Sequence, residues 1–189
     1  MESLATLFGS PARLKMLRLF VFNQSAALTS AEIAARTKLS KEVVRAELAE
    51  LLAARFIRKR AARAPIRYQA NPRFEHLGAL EVFIRETTNV RPARIVSALR
   101  RSGALRLVVL SGFFTGVLEP QIDLLLVGDH LDERTLAHAV RSLEAEFGRE
   151  IRYAAFPTAD FRYRMGVYDR LLRDVLDYPH RLLIDKIGL

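Results

Sequence analysis

Leu28-Thr29-Ser30-Ala31-Glu32-Ile33-Ala34, followed by Ser40-Lys41-Glu42-Val43-Val44-Arg45, decides how the first third of the chain folds. Thr29 and Glu32 have capping-box spacing, in which the hydroxyl accepts from a backbone N–H three residues on and the carboxylate reaches back to the cap. With Ile33, Ala34 and Leu39, this predicts a short helix of about two turns that stops near Thr37-Lys38. Ser40 can cap the next helix, from Lys41 to about Ala54. Its apolar stripe is Val44, Leu48, Leu51 and Leu52, with Lys41, Glu42, Arg45 and Ala49 on the opposite face.

Upstream, Ser10-Pro11 is a helix start, since proline at the first helical position loses no needed donor, and Leu14, Leu17, Phe20 and Val21 share one face as far as about Asn23. Downstream, Phe56 to Arg60 and Ile66 to Ala70 read as two short strands around a turn containing Pro65. Arg58, Lys59, Arg60, Arg63 and Arg67 fall in and around this hairpin. Arg55 is placed to end the preceding helix, where a cation favours the carboxyl terminus.

The whole chain has 189 residues, with 30 Lys+Arg against 21 Asp+Glu, no cysteine, no tryptophan and half its residues hydrophobic. One or two globular domains fit; disorder, collagen and disulfide scaffolds do not. Without cysteine there are no thiolate metal sites and no thiol catalysis, and a reducing, cytoplasmic setting is expected. The start lacks a signal-peptide pattern, and apolar runs such as Leu107 to Leu110 fall far short of the roughly 20 residues of a bilayer helix, so no membrane partner is expected. Residues 1–72 carry 13 Lys+Arg and 5 Asp+Glu, whereas 73–189 carry 17 and 16. Nearly all the surplus of +9 is therefore N-terminal, where it would attract a polyanion.

Three helices followed by a basic hairpin make a winged helix-turn-helix, in which a short helix props the next into the DNA major groove and the hairpin lies along the phosphate backbone. Lys41 and Arg45, one turn apart, would face the groove; Arg58, Lys59, Arg60, Arg63 and Arg67 would meet phosphate or the minor groove. The segment resembles winged-helix bacterial and archaeal transcription regulators in the two stretches quoted first and in Leu51-Leu52-Ala53-Ala54-Arg55-Phe56-Ile57. That likeness covers about the first third of the chain and implies double-stranded DNA as partner. Paired modules commonly read half-sites one DNA turn apart, so a homodimer is expected.

Beyond Asn71-Pro72, the residues Phe74, Leu77, Leu80, Phe83 and Ile84 recur at helical spacing up to Arg85-Glu86, predicting a linker helix before a hinge at Thr87 to Pro92. The expected divisions are 1–72, 73–91 and 92–189. In the last of these, a helix at Arg94 to Arg101, strands at Leu105 to Leu110, Ile122 to Val127 and Ile151 to Phe156, and a helix at Glu133 to Phe147 predict an α/β domain, and the chain as a whole is α+β. Residues Phe161 to Ile184 add helical spacing and then a turn at Pro179.

Leu110-Ser111-Gly112-Phe113-Phe114-Thr115-Gly116 and Gln121-Ile122-Asp123-Leu124-Leu125 resemble the signature of the polymerase-beta-like nucleotidyltransferases. The tail is similar to that of proteins joining a winged helix to such a domain. The family places a Gly-Ser turn near triphosphate and two acids, one residue apart on a strand, around magnesium. Here the pair reads Ser111-Gly112, Gln121 stands at the first acidic position, Asp123 alone remains, and Ile151 to Phe156 holds no third acid. A lone carboxylate is poor at holding two divalent ions against their repulsion, so Ser111, Gly112, Gln121 and Asp123 are expected to form a degenerate nucleotide site without catalysis, metal or cofactor. Glu119, in or near a turn, is no simple replacement, and His76, His130, His138 and His180 lack metal-ligand spacing.

The expected function is a DNA-binding transcriptional regulator whose second domain serves dimerisation, a protein partner or ligand sensing, including sensing of a nucleotide. The alternative is an active nucleotidyltransferase, dependent on Asp123, that modifies a protein or RNA and uses the winged helix for targeting.

Overall fold

A computed structural model describes residues 2–60, 65–88, 91–117 and 121–189. The chain is α+β and divides into two compact units: Met1–Asn89 with Ser142–Arg149, and Val90–Arg141 with Glu150–Leu189.

In the first unit the order is α1 (Glu2–Leu7), α2 (Pro11–Phe22), β1 (Leu28–Thr29), α3 (Ser30–Thr37), α4 (Lys41–Ala53), β2 (Ile57–Arg60), β3 (Arg67–Ala70) and α5 (Leu77–Thr87). The caps read from sequence are present. Ser10 Oγ accepts from Arg13 N, Ser40 Oγ accepts from Val43 N, and Thr29 and Glu32 complete the reciprocal capping box. Helix α4 ends with Arg55 N bonded to Leu52 O and Phe56 N to Leu51 O, a Schellman arrangement closed by the buried side chains of Leu51 and Phe56. Arg55 occupies its left-handed position, φ +57°, where glycine is the unstrained choice. Arg55 thus ends the helix through its backbone conformation, and its carbonyl accepts from Asn71 Nδ2.

Three strands form an antiparallel sheet in the order β1-β3-β2. Leu14, Leu17, Phe20, Ile33, Val44, Leu48, Leu51, Phe56 and Ile57 pack into one core. Leu52, expected in that core, is only half-buried at its edge. Two elements were not expected: α1, with Leu4 and Phe8 packed on the core, and the two-residue β1. The linker helix starts at Leu77 instead of Phe74, because Asn71 to His76 are taken up in turns, with Phe74 packed edge-on against Phe56.

The second unit contains α6 (Pro92–Leu99), a 3-10 turn (Arg100–Ser102), β4 (Ala104–Leu110), a 3-10 turn (Gly112–Thr115), β5 (Leu124–Asp129), the start of α7 (Glu133–Phe147), β6 (Tyr153–Phe156), α8 (Thr158–Gly166), α9 (Arg170–Leu176) and β7 (Arg181–Asp185). Its mixed sheet has the order β6-β5-β4-β7, with β5 and β6 parallel and the other pairs antiparallel. Alternate residues Leu107, Val109, Leu125 and Val127 meet Phe161, Leu172 and Val175, while Val108, Leu110, Leu124 and Leu126 are equally buried on the other face.

Sequence reading places the second strand from Ile122, but it begins at Leu124. At its start the Asp123 and Leu124 amides share the single carbonyl of Arg152, so ladder pairing begins at Leu124 and leaves Ile122 and Asp123 outside the strand. The tail is not a helix followed by a turn alone: Arg181–Asp185 pairs along β4 and closes the sheet. No helix among the described residues is long and apolar enough to cross a membrane.

Candidate functional site

Helix α4 is fixed on α2 by a buried anion. Glu47, with 8 % of its surface exposed, accepts from Ser10 Oγ at 2.6 Å and Arg13 Nε at 2.8 Å. The Glu47–Arg13 pair raises the arginine pKa chiefly through this hydrogen bond. Held in this way, α4 turns Lys41, Arg45, Leu48 and Leu52 toward a concavity of about 440 Å³. Its other walls are Ser30 and Ala31 at the start of α3, and Lys59 and Tyr68 on the hairpin. The structure thus brings Lys41, Arg45 and Lys59 into one groove.

None of these three side chains makes a hydrogen bond or close ion pair among the described residues, and all three are at the surface. Lys41 is also the first residue of α4, where a positive charge opposes the helix dipole; only the neighbouring Glu42 satisfies that field. Glu42 is held below the ordinary carboxylate range by its own backbone N–H and the Ser40 hydroxyl, with smaller help from Arg45 and Lys41. Fold stability gives no reason for a cation at Lys41.

The remaining hairpin cations do not share that groove. Residues two apart on a strand share a face, and directly paired residues on neighbouring strands share one too, so Ile57, Lys59, Tyr68 and Ala70 form the face toward the helices. Arg58, Arg60, Arg67 and Gln69 form the other. Arg58 Nη2 donates to Gln69 Oε1 at 3.3 Å, and Arg67 Nη1 donates to Ala27 O at 2.9 Å and approaches Glu32 Oε2 at 3.4 Å. Arg60 lies directly opposite Arg67, a like-charge pairing that opposes sheet formation. Strand alternation therefore places Lys59 with Lys41 and Arg45 and puts Arg58, Arg60 and Arg67 on the opposite face of the hairpin. Arg63 and the residues of its turn, 61–64, lie outside the described residues, as does Glu119.

At the other sequence-derived site, Asp123 is fully buried. Arg152 grips it with Nη2 to Oδ1 at 2.9 Å and Nε to Oδ2 at 3.0 Å, and the backbone N–H groups of Phe113 and Arg152 donate at 2.9 and 3.0 Å. Burial alone would raise the carboxyl pKa, but the Arg152 fork and the two backbone donors more than offset it, leaving it below the ordinary value. Gly112 belongs to the same nest: with φ +50°, a Cβ there would fall 2.5 Å from Asp123 Oδ1. Ser111 donates its backbone N–H to Asp123 O, and its buried hydroxyl has no hydrogen-bond partner among the described residues.

Gln121 stands apart. It is exposed, and its backbone N–H donates to Asp174 Oδ2 at 2.8 Å. With the strand starting at Leu124, Gln121 and Asp123 do not occupy alternate positions on one strand face as sequence reading expects. These residues do not fit a two-magnesium centre: the one acid is already neutralised by a guanidinium, and Gln121 is outside its shell. Among the described residues, no group of three or more His, Asp or Glu side chains is placed to hold a metal ion.

Sequence reading missed Glu47 and the role of Arg152. Each acts through a partner about thirty residues or more away, and neither spacing leaves a periodic signal. Compared with known proteins, the chain matches no family model, no curated protein and no solved structure.

Proposed function

We propose that this chain is a DNA-binding transcriptional regulator. The first unit is read as a winged helix-turn-helix, with α3 propping α4 and the β2–β3 hairpin as the wing. The observation that carries the reading is the groove in which Lys41, Arg45 and Lys59 gather without a hydrogen bond or close ion pair among the described residues. The order β1-β3-β2 beside α2, α3 and α4 supports the same reading. Lys41 and Arg45, on the first turns of α4, would approach base edges and phosphate, Lys59 the adjoining backbone, and Arg60 a flanking phosphate. Arg58 and Arg67 would chiefly hold the wing in shape. A homodimer would present two such grooves to half-sites about one DNA turn apart.

The second unit is read as a nucleotidyltransferase-like fold serving contact or sensing, without transfer chemistry. Asp123, the residue on which metal-dependent transfer would rest, is engaged by Arg152 and two backbone donors, which supports that reading. Selection from a pooled library of duplex oligonucleotides tests the proposal. The wild-type chain should enrich a defined motif, and Lys41→Ala/Arg45→Ala should lose that enrichment while keeping weak general affinity. Identical enrichment by both proteins would refute the role of α4.

A further inference from the structure

The second unit has another concave site, at the end of β4 remote from Asp123. Strand β4 runs from Ala104 to Leu110, with Ser111 bonded to Asp123 just beyond it, so the two sites are separated by a strand length of about 20 Å. This open cleft has a volume of about 550 Å³ and is lined by Val96, Leu105 and Leu183 together with Arg100, Arg106 and Lys186. From Arg91 to Arg106 the sequence contains five arginines and no acid, a concentration hidden by the near-neutral total of the C-terminal half.

Two features indicate a built site instead of a scatter of surface cations. Arg106 is the extra residue of a β-bulge: Leu105 pairs with Gly128 and Leu107 with Val127, leaving Arg106 between them. Bulges redirect side chains and gather beside functional sites. Arg106 Nε then donates to Asp129 Oδ2 at 3.0 Å, fixing its guanidinium beside the cavity. Asp129 neutralises that one cation. Asp185, the strand neighbour of Lys186, accepts from the N–H groups of Ile187, Gly188 and Leu189, which keep it ionised below the ordinary carboxylate range, and it does not line the cavity. The charged residues of the lining are all cations, and Arg100 and Lys186 make no side-chain hydrogen bond among the described residues, so the lining itself is positive beside an apolar wall.

We propose that this pocket binds a small organic anion, its apolar body against Val96, Leu105 and Leu183 and its phosphate or carboxylate against Arg100 and Lys186. The volume lies within the roughly 300–1,000 Å³ of small-molecule sites, and the apolar lining would serve no purpose against a phosphate backbone. This site stands whether or not the first unit binds DNA.

Calorimetric titration of the full chain with 1-naphthyl phosphate, 1-naphthol and inorganic phosphate tests it. Naphthyl phosphate should bind saturably and more tightly than either fragment. Arg100→Ala/Lys186→Ala should weaken it by about tenfold or more without moving the melting temperature. If the double variant is poorly folded, Lys186→Met alone should weaken binding in the same direction. Absence of saturable binding, equal binding by the variants, or equal binding of naphthol would overturn the proposal. So would a short DNA duplex that depends on Arg100 and Lys186 while naphthyl phosphate does not bind.

Discussion

The groove of the first unit and the Asp123 nest of the second use basic side chains in opposite ways. Arg152 is committed to a fully buried carboxylate through a two-pronged contact, so its charge is spent on the fold. Lys41, Arg45 and Lys59 remain in solvent around one concavity, and Lys41 even opposes the dipole of its own helix. An internal guanidinium takes the place of an external cation, whereas cations without a hydrogen bond or close ion pair stay available to an external anion. The composition of the chain cannot distinguish the two uses, but the partners can.

The largest effect should come from breaking the committed pair. Arg152→Ala leaves a buried carboxylate with only its backbone donors and should cost about 3 kcal/mol in urea denaturation, the low end for a broken buried pair because Arg152 itself is 44 % exposed. A loss below about 0.5 kcal/mol would mean that the nest is no more structural than the groove.

The same pair gives a pH signature. The folded pKa of Asp123 is depressed, so its contribution is fully present above the unfolded value of about 3.9 and disappears as pH falls through the lower folded value. Asp123→Asn should therefore flatten the loss of stability below about pH 4 while being less stable than wild type near neutrality. Parallel acid profiles for the two proteins would argue against the pair.

A smaller effect is expected at the end of α4, where Arg55 sits at φ +57°. Arg55→Gly should stabilise the first unit by about 0.5–1 kcal/mol, measured by thermal unfolding, because glycine adopts this conformation without a Cβ penalty. Destabilisation would indicate that the Arg55 side chain contributes to the fold.

Local signals made the helices of the first unit legible: Ser10-Pro11, the Thr29/Glu32 box and Ser40 each act within one turn. Helix α7 was equally readable from its long amphipathic period and spans Glu133–Phe147. Short elements were not, since two residues at β1 or six at α1 contain too little periodicity, and β7 is defined by its pairing with β4. For the site, residue type together with one-turn spacing at the start of a capped helix nominates Lys41 and Arg45. The alternation separating Lys59 from Arg58 and Arg60 is also in the sequence, but the face that meets α4 is set by tertiary packing. Asp123 was recognisable as a lone acid; that Arg152 reaches it from 29 residues away was not.

The central claim is tested most directly by measuring duplex DNA affinity over a range of salt concentrations for wild type, Lys41→Ala/Arg45→Ala/Lys59→Ala and Arg58→Ala/Arg67→Ala. The groove variant should stay within about 0.5 kcal/mol of wild-type stability, yet bind DNA at least about 100-fold more weakly, with a salt slope shallower by about 2–3. The variant on the other face of the hairpin should change that slope by less than about 1. A groove variant that binds with wild-type affinity and slope, or a larger loss from the other face, would contradict the account.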